Sequence, residues 1–113
     1  MPQYWIAIHH PDDEQKPVVV DASMRREIDA LNDEMHAAGV RVFAGGLHPP
    51  RDAVTLTTSA KGQVTSTSGS HTKAPEYVGG FWVLELENVE QALVWARKAL
   101  AACKVPVEVR PFY

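Results

Sequence analysis

A chain of 113 residues fits one domain, because two separately folded cores would each approach the lower size limit for stability. Its 45% apolar and 22% charged residues are the balance of a chain that buries a core, while 11 Lys and Arg against 14 Asp and Glu leave a net charge of −3, with no positive excess to hold a phosphate backbone. Nucleic acid is therefore not an expected partner, and the single cysteine, Cys103, excludes a disulfide within the chain.

A lone thiol fits a reducing, cytoplasmic location. No apolar run approaches the roughly 20 residues that span a bilayer, and Met1 to Pro11 has neither a basic n-region nor a cleavage site. The expectation is a soluble, untargeted protein with no membrane partner.

Tyr4 to Ile8 is a run of aromatic and branched residues that predicts a first strand, stopped by His9, His10 and Pro11. Asp12 to Pro17 is a loop. From Ser23 the residues Met24, Ile28, Leu31, Met35 and Ala38 recur at helical spacing, with Gly39 as the stop. Val40 to Ala44 predicts a second strand, after which Gly45-Gly46-Leu47-His48-Pro49-Pro50 predicts a turn or irregular loop. Ala53 to Thr58 and Gln63 to Thr67 flank Gly62 as a small hairpin, an insertion at about 53–67. Ser66 to Glu76 is polar and reads as a surface loop. Gly79-Gly80 opens a third strand, Phe81 to Leu86. Asn88 and Gln91 form a capping box for a second helix whose buried stripe is Val89, Ala92, Leu93, Ala96, Leu100 and Cys103. Val105, Val107 and Val109 alternate with Glu108 and Arg110 as a last strand.

Strand, helix, strand, hairpin, strand, helix, strand is the order of an α+β, ferredoxin-like split β-α-β fold with an inserted hairpin. Both helices then lie on one face of the sheet. The third strand is apolar on both sides, with Phe81 and Val83 opposite Trp82, Leu84 and Leu86. Trp5 adds to the surplus, so the pattern predicts a homodimer in which two sheets meet face to face.

Together these residues resemble the YCII-related proteins, and within them the branch called DGPF-domain proteins. Gly45-Gly46-Leu47-His48-Pro49-Pro50 is similar to that branch's Gly-Gly-Leu-x-Pro-Pro turn, and Val54 to Val64 to the hairpin that follows it. Gly79-Gly80-Phe81 and Val107-Glu108-Val109-Arg110-Pro111 match in kind and order. The name-giving Asp-Gly-Pro-Phe tetrad falls on Ser68-Gly69-Ser70-His71, where only the glycine is kept, so no role passes from its aspartate to Ser68. The resemblance implies a dimeric α/β barrel with a pocket in each protomer, an acid-base pair of a histidine and an acidic residue, and in some relatives lyase-type reactions on small hydroxylated rings.

In the predicted fold the ends of strands one and two, the loop entering strand three and the start of helix one converge on one rim. His9, His10, His48 and His71 approach it, with Arg51 beside them. Histidine titrates near neutrality, so His71 and His48 are the expected proton-transfer pair, with His9, Arg51 and Ser70 binding the substrate. Solvated loop histidines are the plain alternative. A metal site from His9, His48 or His71 with Asp12 or Asp13 lacks ligand spacing, and neither metal nor organic cofactor is expected. The function this supports is a lyase or isomerase acting on a small hydroxylated or acidic metabolite. The alternatives are a ligand-sensing or partner-binding module without chemistry, and a structural association domain whose pocket is vestigial.

Overall fold

The computed structural model of the chain describes residues 1–13 and 15–113. Its elements in chain order are β1 (Gln3–Pro11), α1 (Ala22–Ala37), β2 (Arg41–Gly46), a 3₁₀ turn (Pro50–Asp52), β3 (Val54–Thr58), β4 (Val64–Ser68), β5 (Glu76–Glu85), α2 (Val89–Cys103) and β6 (Val107–Pro111). Four of the strands form an open antiparallel sheet in the order β2-β5-β1-β6, and β3 and β4 pair separately as the inserted hairpin. Both helices and the antiparallel sheets make the fold α+β, in the strand order that a split β-α-β connection requires.

Strand ends depart from the local turn signals. β1 continues through His9, His10 and Pro11, which pair with Val78, Tyr77 and Glu76. β2 likewise runs through Gly45 and Gly46, paired with Phe81 and Gly80, where a break was expected. Glycine and proline lower strand propensity by an amount that partner strands can outweigh, and here long-range pairing does so. The turn begins at Leu47, whose amide still donates to the Gly79 carbonyl at 2.9 Å.

Capping follows directly from side-chain chemistry. The Asp21 carboxylate accepts from the Met24 amide at 2.8 Å and starts α1, two residues before the expected Ser23. Asn88 accepts from the Gln91 amide at 3.0 Å, and the Gln91 side chain accepts from the Glu87 amide at 3.1 Å, closing the box at the start of α2. Gly39 ends the first helix with φ of 70°, a conformation open to glycine at no steric cost.

Tyr4, Ile6, Trp82, Leu84 and Leu86 point toward the helices and pack with Leu31 and Met35 of α1. From α2 the buried residues are Ala92, Ala96, Ala99, Ala102 and Cys103. Val89, Leu93 and Leu100 are exposed, so half of the expected stripe turns outward. Small side chains let the helix backbone approach the sheet, and that approach selects alanine for the inner face despite its lower hydrophobicity. No helix among the described residues is long and apolar enough to cross a membrane.

The rotated stripe makes a quantitative prediction. Leu84 is fully buried, and Leu84→Ala should lower stability by about 2–5 kcal/mol in urea denaturation. Leu93→Ala should cost less than about 1 kcal/mol, whereas a loss as large as that at Leu84 would restore Leu93 to the core.

Candidate functional site

Alternation along β1 sends its adjacent histidines to opposite faces of the sheet, His10 to the side of Tyr4 and Ile6. Ile6 pairs with Trp82 and Ile8 with Gly80, but His9 pairs with Val78, so Gly79 is an extra residue bulged out of β5. His9 then lies on the sheet face away from the helices, where its Nε2 donates to Glu108 Oε1 at 2.8 Å. Glu108 Oε2 also meets Arg110 Nε at 3.1 Å, and the Arg110 guanidinium sits 4.6 Å from the Trp5 ring centroid. Trp5, Phe43 and Phe81 form an aromatic row on this face, with ring centroids 6.3 and 5.8 Å from Phe81.

His10 turns to the helix side. Its ring meets Tyr77 at a centroid distance of 5.7 Å and occupies the space that a side chain at Gly79 would need: a Cβ there would stand 1.7 Å from His10 Cδ2. Nδ1 is buried and has no hydrogen-bond partner among the described residues. Burial removes water from the imidazolium and pushes the His10 pKa below its ordinary value. At neutral pH the ring is therefore uncharged and able to accept a proton.

Beside His10 a cavity of about 500 Å³ opens between α1 and the β2–β5 end of the sheet. Gly46 and Gly80 face one another across those strands and present no side chains, which leaves the hollow empty under the helix. Arg25, Asp29 and Asn32 project into it from successive turns of α1, and Arg41 and Trp82 line it from the strands. Asn32 Oδ1 accepts from Trp82 Nε1 at 3.0 Å and from Arg41 NH1 at 3.3 Å, while its Nδ2 donates to the Ile28 carbonyl at 3.0 Å. The amide is thereby fixed and in turn holds the guanidinium. Cys103 also reaches this cavity, but burial, followed by the charge of Glu27, pushes its thiol pKa up and keeps it protonated.

The residues expected at the site divide among several places. Arg51 and Ser70 come together in a second hollow of about 420 Å³, with Asp12 and Lys73. The Ser70 hydroxyl donates to the Thr72 carbonyl at 2.9 Å, a bond within its own loop. His48 is 86% exposed and its Nδ1 donates to Asp52 Oδ2 at 3.0 Å. His71 is exposed in the loop before β5. Neither His48 nor His71 lines these two hollows, and His9 lies across the sheet from the larger one. Among the described residues, no three His, Cys, Asp or Glu side chains are grouped as a metal ion requires.

Sequence reasoning brought His10 to the right rim and gave it no role. The available signal was the doublet Gly79-Gly80, which can supply both a bulge and room for a ring.

Crowding at Gly79 makes one test. Gly79→Ala should destabilise by about 1–3 kcal/mol through overpacking, and His10→Ala should relieve much of that loss, so the double-mutant cycle should show strong coupling. A second test uses pH. Since the folded pKa of His10 is depressed, its unfolded state binds more protons below about pH 6.5. Stability is therefore full above that value and lost as pH falls toward the lowered native pKa. Tyr77 meets the ring, and Arg25, Asp29 and Arg41 line the same cavity; with these unchanged His10→Gln should flatten the acid limb of a Tm-against-pH curve.

Compared with known families, residues 4–111 match the YCII-related domain. No curated protein matches the chain.

Proposed function

The chain belongs to the YCII-related family, and on that footing we propose that its helix-side cavity binds a small hydroxylated or acidic metabolite on which His10 performs the proton transfer of a lyase or isomerase. The observation that carries this reading is a partly buried imidazole, one of whose nitrogens is buried and unpaired, beside a roomy cavity that two arginines also line. A neutral imidazole takes a proton from a carbon next to a carbonyl, the C–H electron pair becomes the carbon–carbon π bond as the carbonyl π pair moves onto oxygen, and a guanidinium stabilises the resulting enolate. Returning the proton to a different carbon completes an isomerisation; expelling a leaving group from the adjacent carbon completes an elimination. His71 and His48 are outside this reading because exposure leaves them in bulk water, away from the cavity.

The same reading makes the protein a soluble, cytoplasmic homodimer with a ferredoxin-like fold. Its aromatic face would cover that of a second copy and close a dimeric α/β barrel. Support comes from Phe43, 54% exposed, in line with half-buried Phe81 and Trp5 on the side that no helix covers.

Proton exchange tests the chemistry. In D₂O the protein should accelerate loss of the C3-proton NMR signal of 2-oxo acids, and His10→Gln should reduce that acceleration by about 10²–10⁴-fold. Binding without exchange would replace the enzyme with a sensing module. Sedimentation tests the assembly: Phe43→Lys with Phe81→Lys should convert a dimer to a folded monomer, and a wild-type monomer at micromolar concentration would refute the barrel.

A further inference from the structure

We propose that the occupant of the cavity carries a carboxylate anchored by Arg41, and that the missing side chain of Gly46 sets the size of the group beside it; this rests on the cavity being the functional site. Arg41 is held by Asn32, which is itself fixed by Trp82 and by the Ile28 carbonyl. The remaining donors of its planar fork have no carboxylate within 4 Å among the described residues, and neither has Arg25. A planar fork with free parallel N–H groups matches the two oxygens of a carboxylate. Two guanidinium groups against the single carboxylate of Asp29, with His10 neutral, leave one positive charge. That balance suits a monoanion better than a phosphate dianion.

Gly46 differs from its glycine neighbours in having no steric reason to be glycine. A Cβ at Gly79 would strike His10, and one at Gly80 would press to 3.0 Å from the Gly45 carbonyl, but one at Gly46 would meet nothing closer than the Gly79 carbonyl at 3.7 Å. Its φ is not in the left-handed region. Within a strand such a glycine weakens the fold. Its partner Gly80 pairs in turn with Ile8, so a side chain at 46 would project to the helix side, into the hollow. The glycine thus keeps the cavity open at some cost in strand stability. Valine at this position should strengthen the strand and exclude the ligand, whereas a glycine needed only for folding would lose stability on substitution.

The experiment titrates the full chain calorimetrically with pyruvate, 2-oxobutyrate and benzoate, the amide of each, and inorganic phosphate. At least one acid should bind, its amide at least ten-fold more weakly. Arg41→Gln should weaken that acid at least ten-fold, and Gly46→Val should abolish binding while Tm stays equal or rises. Gly46→Ala, whose added methyl has room, serves if the valine variant fails to fold and should weaken binding without lowering Tm. Equal binding of acid and amide, preference for phosphate, an unaffected Arg41→Gln, or no acid bound at all would each overturn the carboxylate anchor. If an amide or exchange-active compound still bound in a manner lost with Gly46→Val, the cavity itself would stand. Full acid binding by a folded Gly46→Val would overturn both the size-setting role and the cavity as the site.

Discussion

One extra residue in β5, a glycine, gives the ring of His10 its place on the helix side of the sheet. Gly79 has no partner in β1, so pairing resumes at His9 with Val78 and at His10 with Tyr77. Alternation along β1 sends the two neighbouring histidines to opposite faces. His9 enters a row of charge with Glu108 and Arg110 along the aromatic face, while His10 is pressed against the bulge on the helix side, where water is scarce. A β-bulge normally adds twist and ends pairing; this one also makes room for a ring, because the bulged residue is a glycine.

A four-stranded sheet with two apolar faces and helices on one of them has unequal sides. On the helix side the inner surface of α2 is mostly alanine, so that helix lies close and the core is dense around Ile6, Met35 and Leu84, all fully buried. α1 crosses the part of the sheet where Gly46 and Gly80 supply no side chains, and close packing stops there. The cavity is therefore a consequence of sequence in the sheet. Its polar wall is a consequence of helix period, since positions 25, 29 and 32 fall on one face of α1.

How much of this was legible in the sequence depends on whether the signal was local. The alternation from Phe81 to Leu86, the helical spacing from Met24 to Met35 and the Asn88–Gln91 cap are local, and strand, helix and cap follow from them. The glycine doublets are also local, but they signal turns, and whether Gly45 and Gly46 pair depends on β5, more than thirty residues away. The α2 stripe was misread because hydrophobicity favours Leu93 and Leu100 over Ala92 and Ala99, whereas helix-to-sheet distance favours the smaller residues. His10 escaped because the strand was expected to stop at Ile8; once β1 runs through Pro11, alternation places His10 with Tyr4 and Ile6 on the helix side and His9 opposite.

Both hollows carry exposed charged side chains, and the one beside His10 is set apart by a partly desolvated imidazole and by a guanidinium held by Asn32. Around Arg51 and Ser70 the charged side chains of Asp12, Arg51 and Lys73 are exposed, and charges 4 Å apart in water interact by only about 1 kcal/mol. Groups in that setting hold a small ligand weakly. In the hollow beside His10 the imidazole is partly desolvated and Asn32 fixes the orientation of Arg41, so less reorganisation is needed when a charge arrives. The same desolvation makes the unpaired Nδ1 costly in the free protein, by about 1–3 kcal/mol. The oriented guanidinium of Arg41 is the group in this hollow that favours an occupant with negative charge toward it.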